Sequence, residues 1–197
     1  MTDVRRFKVH AHERIFIHND LSNAAFHFKR LIESKSAKGD HSGLGLEVMA
    51  GATMLAFANE ARFNFLGYHL EGNSWDEWKP AMKKVRRVFE ILGISPDFSD
   101  PPYLYLQALK DFRDTLAHGK PEYKEFKEEL EATEEELLGM LDLKADWERS
   151  LEPSFFCEAY DASEKIWKEL LQKSGLTLMD TLSEGGSHIE LIHEKKQ

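Results

Sequence analysis

Tyr105, Leu109, Phe112 and Leu116 recur at intervals of four, three and four residues. That spacing draws one apolar stripe along an α-helix, whereas a strand would scatter the same residues over both faces. The period runs through most of the chain and predicts an all-α, up-and-down helical bundle. Residues 20–35 predict a first helix capped by Asp20, and Gly39, Gly43 and Gly45 make the connection that follows. A long helix over 46–70 offers Met49, Ala52, Ala56, Phe63 and Leu66 for packing, with Gly51 and its alanines letting a neighbour approach closely. A basic helix over 75–92 buries Trp78, Met82, Val85, Phe89 and Leu92. Residues 101–118 come next, with Asp100 as N-cap, Pro101 and Pro102 in the first turn, Gly119 in the left-handed cap position and Pro121 blocking continuation. Glu122 to Met140 is helix-prone but polar, and Thr133 to Glu136 reads as a capping box. A last amphipathic helix over 152–174 carries Phe156, Tyr160, Ile166, Trp167, Leu170 and Leu171.

The ends read differently. Phe7 to Ile17 alternates in polarity, and so does His188 to Ile192 after Gly185 and Gly186. The tail fits a short strand or a disordered segment, and the first stretch is able to pair with it. No repeat or linker splits the sequence. The expectation is one domain over residues 1–197, with its core at 20–174 and peripheral segments at 1–19 and 175–197.

Composition sets limits on function. The net charge of -9 argues against broad, nonspecific nucleic-acid binding. Between Pro121 and Ser150, however, eleven acidic residues face four basic ones, so most of that charge is local. Lys79, Lys83, Lys84, Arg86 and Arg87 form a basic cluster on the 75–92 helix, read either as a solvated face or as a groove wall that tracks an RNA backbone. No apolar run is long enough to span a bilayer, and no apolar leader core follows Met1, so a cytoplasmic location is expected. Cys157, the one cysteine, reads as a small buried hydrophobe. His10 and His12 would project to one side of a strand, but zinc needs a third or fourth ligand, and no cysteine pair or HExxH helix is present. Surface histidines, no metal and no cofactor are the expectation.

The chemistry concentrates at the end of the 101–118 helix. Arg113 offers a planar fork of donors for phosphate oxygens. His118 carries an imidazole, the kind of side chain that can serve as acid or base. Residues five apart on a continuing helix point about 140° away from each other. Ending the helix at Gly119 frees His118 to swing towards the arginine or to meet a second subunit. Upstream, Glu60 lies within an apolar stretch, where an ionised group is unusual. It reads as a buried group satisfied by a neighbouring helix, or else Asn59 or Glu60 orients Arg113 or a substrate.

The stretch Phe112-Arg113-Asp114-Thr115-Leu116-Ala117-His118-Gly119-Lys120-Pro121 resembles the Arg-polar-x-x-x-His signature of the HEPN superfamily. Phe57-Ala58-Asn59-Glu60-Ala61-Arg62 is similar to the other core helix of that family, which carries a polar Asn/Glu pair in an apolar pattern. The resemblance covers roughly residues 42–120. It implies a metal-independent endoribonuclease working as a homodimer, in which two Arg/His pairs share one cleft. His118 would move the proton, Arg113 would stabilise the phosphate, and Asp114 would orient one of them. Lys83, Lys84, Arg86, Arg87, Asn59 and Glu60 would contact RNA. A role in toxin–antitoxin systems or anti-phage defence, with an antitoxin protein as partner, is also implied. The rival is a noncatalytic HEPN-like module that binds a protein or nucleotide. An open cleft holding both Arg113 and His118 favours the enzyme; Arg113 locked to Glu60 favours the module.

Overall fold

The computed structural model describes residues 5–127, 129–133, 136–137, 145, 147–148 and 152–192. Among these it is mostly helical, with a small antiparallel sheet. The order is β1 (Phe7–Arg14), α1 (Ile17–Lys38), α2 (Leu44–Glu71), α3 (Ala81–Ile91), α4 (Leu104–Ala117), α5 (Pro153–Ser174) and β2 (Glu184–Leu191). No helix among the described residues is long and apolar enough to cross a membrane.

Helix α2 is the axis of the fold and packs against α1, α3, α4 and α5. Its small residues allow this. A Cβ added to Gly67 would lie 2.1 Å from the Trp75 ring, so the indole rests directly on the α2 backbone. The core has two parts. Ala25, Ile32, Val48, Leu55, Leu109, Phe112 and Phe156 form one. Phe63, Leu66, Trp75, Val88, Phe89, Leu106, Ile166, Trp167 and Leu170 form the other. Helix α4 spans both, placing Leu106 in the second and Leu109 with Phe112 in the first. Leu106 is therefore core, 5 % exposed, and a charge there would disrupt packing rather than report on a subunit contact.

Several expected boundaries move, for two physical reasons. Helix α3 starts at Ala81, not at residue 75, and α4 at Leu104, not at Pro101. Lys79, Asp100 and Pro101 each precede a proline, which biases them out of the helical region. Trp78 consequently lies outside the helix and is 89 % exposed, not buried. Asp100 contributes only its carbonyl, which accepts the Leu104 N–H at 3.0 Å. The helix-prone segment after His118 is not helical at its described residues up to Thr133, because without a packed face propensity alone does not hold a helix. The Thr133–Glu136 capping contacts do form, at 2.8 and 3.3 Å, and Glu136 and Leu137 are helical as expected; Glu128, Glu134, Glu135 and residues 138–140 of that expected helix lie outside the described residues.

The ends of the chain meet. Strands β1 and β2 pair from Phe7 opposite Leu191 to Arg14 opposite Glu184. Helix α1 begins at Ile17, three residues before the expected Asp20 cap, without a side-chain cap, and the residue before it is tied to the other end of the chain: Phe16 N–H donates to Ser183 Oγ at 2.9 Å. Next to it, His18 is 3 % exposed and packs on Phe65 and Trp167 at ring distances of 5.0 and 5.5 Å. Burial first, and the charge of Arg62 second, lower its pKa to about 4. The unfolded chain therefore binds the extra proton first. Stability from neutral His18 is complete above the ordinary value of 6.5 and falls as pH drops from there towards 4, by up to about 3 kcal/mol. In urea denaturation across this window, stability should fall more steeply with pH for the wild type than for His18→Phe.

Candidate functional site at the end of α4

Leu109 and Phe112 turn inward, so Arg113, the next residue, sits at the edge of the buried stripe with its side chain 19 % exposed. Its guanidinium lies over the Phe57 ring, 5.7 Å from the centroid. Nη1 donates to Glu60 Oε2 at 2.5 Å, and Nε donates to Asp114 Oδ1 at 3.0 Å. The other Glu60 oxygen accepts Lys84 Nζ at 2.7 Å, and Lys84 also donates to the Glu77 carbonyl at 3.0 Å. One carboxylate thus ties α3 and α4 to α2. Burial acts to raise the Glu60 pKa, but hydrogen bonds and charge from Lys84, then Arg113, outweigh it and hold the carboxyl below its ordinary value. Asp114 is lowered too: burial opposes ionisation, and Lys110 with Arg113 overcomes it.

Arg113 borders a small cleft of about 30 Å³ between α2, α3 and α4, with Ala56, Phe63, Met82 and Leu106 among its apolar walls. His118 does not share it. Its backbone N–H closes the last turn on the Asp114 carbonyl at 3.0 Å. Its exposed ring borders a separate, shallow groove with Asp111, Asp114, Thr115, Lys120 and Glu122. The expected swing towards Arg113 is absent within one chain, because α4 stays regular through Ala117 and keeps the two side chains on different faces. Gly119 also departs from expectation, since its φ is not positive. The His118–Asp114 closure does not need a left-handed residue. No hydrogen bond reaches the His118 ring among the described residues. Asp114 is the link between the two surfaces, touching Arg113 and lining the His118 groove.

The basic wall on α3 is smaller than the sequence suggests. Lys84 is buried, 2 % exposed, because it shares the inner face with Val85, Val88 and Phe89. Arg87 pairs with Glu71 and Glu90. Lys83 and Arg86 remain exposed, the latter over Phe98 at 5.7 Å. Asn59 turns to α5 and donates to Ser163 Oγ at 2.9 Å, although it also lines the cleft. Two neighbours escaped the sequence reading. Phe57 supplies the ring under Arg113, and Lys110 bonds Asp114 at 3.1 Å. The position of Lys110, one turn before Asp114, was the available signal.

Around the guanidinium, Arg113, Lys84 and Lys110 balance Glu60, Asp111 and Asp114. The site is polar and preorganised, and it is not a strongly positive trap. Comparison with known protein families, curated proteins and solved structures gives no match for this chain.

Proposed function

We propose that the chain is a HEPN-type helical bundle whose α4 end cleaves RNA without a metal, as a homodimer in the cytoplasm. The reading rests on one observation: an exposed imidazole, unpartnered among the described residues, ends the same helix that holds a fixed arginine five residues earlier. The two groups face different sides of one chain, so a two-fold pairing of α4 ends would bring Arg113 of one copy to His118 of the other. His118 takes the proton from a ribose 2′-hydroxyl, the 2′-oxygen attacks the adjacent phosphorus as the bond from phosphorus to the 5′-oxygen breaks, and the leaving 5′-oxygen takes its proton from the imidazolium so formed or from water. Arg113 keeps N–H donors beyond those given to Glu60 and Asp114, and these meet the charge building on the phosphate. Asp114 orients the guanidinium. The family resemblance extends the proposal to a toxin or anti-phage role with an antitoxin partner.

A second reading, a noncatalytic module for a protein or nucleotide partner, is favoured by the Glu60 bridge, which already pairs Arg113 within the fold, and by the separation of Arg113 and His118 onto different surfaces of one chain. Excess EDTA separates the two. Since RNA supplies the nucleophile and His118 the proton transfer, cleavage should persist in EDTA and leave 2′,3′-cyclic phosphate ends. Products with 3′-hydroxyl ends would reject this chemistry. Absence of cleavage on single-stranded, hairpin and transfer RNA alike would leave the binding module.

A further inference from the structure

Three of the described histidines, His10, His12 and His188, lie on the terminal ribbon. Alternate residues of paired strands share a face, so Lys8, His10, His12 and Arg14 lie on one side of β1–β2 with Glu190, His188, Gly186 and Glu184. The other side carries Phe7, Val9, Ile189 and Leu191. His10 stands directly opposite His188, and such pairs have Cβ atoms about 4.5–5.5 Å apart. His12 faces Gly186, and its ring lies over that glycine: a Cβ there would come 2.9 Å from His12 Cε1. The imidazole therefore leans onto the strand that carries His188. The His10 and His12 ring centroids are 6.1 Å apart. With a zinc–nitrogen bond of about 2.0–2.1 Å, two imidazoles on one tetrahedral ion have centroids roughly 5–6 Å apart. As they stand, no three such side chains among the described residues converge on one point. All three residues are exposed, however, and exposed side chains exchange rotamers within nanoseconds.

We propose that His10, His12 and His188 bind one divalent ion of the zinc class, with water completing the tetrahedron. Imidazole ligands select this class over magnesium or calcium. The flanking charges do not repel it, because Arg14 pairs with Glu184 at 3.3 Å at one end and Lys8 faces Glu190 at the other. An isolated two-stranded ribbon is marginal in water, and an ion bridging β1 to β2 would clip the two ends of the chain together. This site stands apart from Arg113 and His118, so removing the ion should leave RNA cleavage unchanged.

The test is calorimetric titration of the chelator-treated, tag-free chain with zinc chloride, with cobalt(II) absorption as a second readout. One ion per chain should bind at micromolar concentration. Losing a mere outer-shell partner of a metal ligand costs 10–100-fold, so His10→Ala, His12→Ala and His188→Ala should each weaken binding by more than about tenfold. His27→Ala and His41→Ala, on other elements, should bind as the wild type does. No saturable zinc binding, or equal binding by a His10→Ala/His188→Ala chain, would overturn the proposal. The ribbon variants change exposed residues, so circular dichroism should match the wild type in every case.

Discussion

His118→Ala is expected to lower RNA cleavage by about 10²–10⁴-fold, the range for losing a positioned proton-transfer group, while leaving the melting temperature nearly unchanged. The imidazole is exposed and no hydrogen bond reaches it among the described residues. Its removal costs the fold at most a favourable charge near the end of α4. Arg113→Ala should behave differently. It strips a partner from both Glu60 and Asp114, so it should reduce cleavage and stability together. Single-turnover kinetics and thermal denaturation on the same preparations separate the effects. Mixing the two inactive variants adds a test of the shared cleft, because a heterodimer regains one Arg113 and one His118. Full activity in the His118→Ala protein would end the enzyme reading. No recovery on mixing would place the chemistry within one subunit.

The sequence made the interior of the helices legible and their beginnings illegible. The stripe of Leu109 and Phe112 points inward as its spacing says, because burying apolar surface dominates the choice of face. The starts of α3 and α4 fail because the restriction before a proline outweighs the apolar pattern that runs through it. Lys84 shows a different limit. In a run of four cations it reads as solvated, and what makes it a buried residue is Glu60, 24 residues earlier on another helix. Nothing local to α3 encodes that partner. The terminal ribbon shows the reverse. Alternation in two distant segments gave the strands, but only the register places His188 against His10. For the site, the sequence brought Arg113, Asp114 and His118 to one helix end. It did not show that Glu60 holds the arginine while His118 opens elsewhere, because helix-end geometry and tertiary packing decide that together.

Glu60→Ala is expected to cost the fold about 3–5 kcal/mol, the range for removing one partner of a buried ion pair. The cost comes from what is left behind. Lys84 is 2 % exposed and would keep only the Glu77 carbonyl, while Arg113 would keep Asp114. An ammonium in that position must either stay charged without a counter-ion or give up its proton, and both oppose folding. Glu60→Gln should cost less, since an amide oxygen still accepts one of the two donors. Adding Lys84→Met to Glu60→Ala should recover part of the loss by removing the stranded charge. The pH dependence has a definite sign. The Glu60 carboxyl is held below its ordinary value of 4.5 in the fold. Its contribution is therefore complete above that value and lost as pH falls through the lower folded value. The gap between wild type and Glu60→Ala in urea denaturation should be full at pH 7 and should narrow only below about pH 4.5. His18 and the remaining carboxylates titrate in both proteins and cancel in the difference. A gap below about 1 kcal/mol at pH 7 would put the pair among exposed surface bridges. In that case Lys84 reaches water on its own, and Arg113 is free to leave Glu60 for a phosphate.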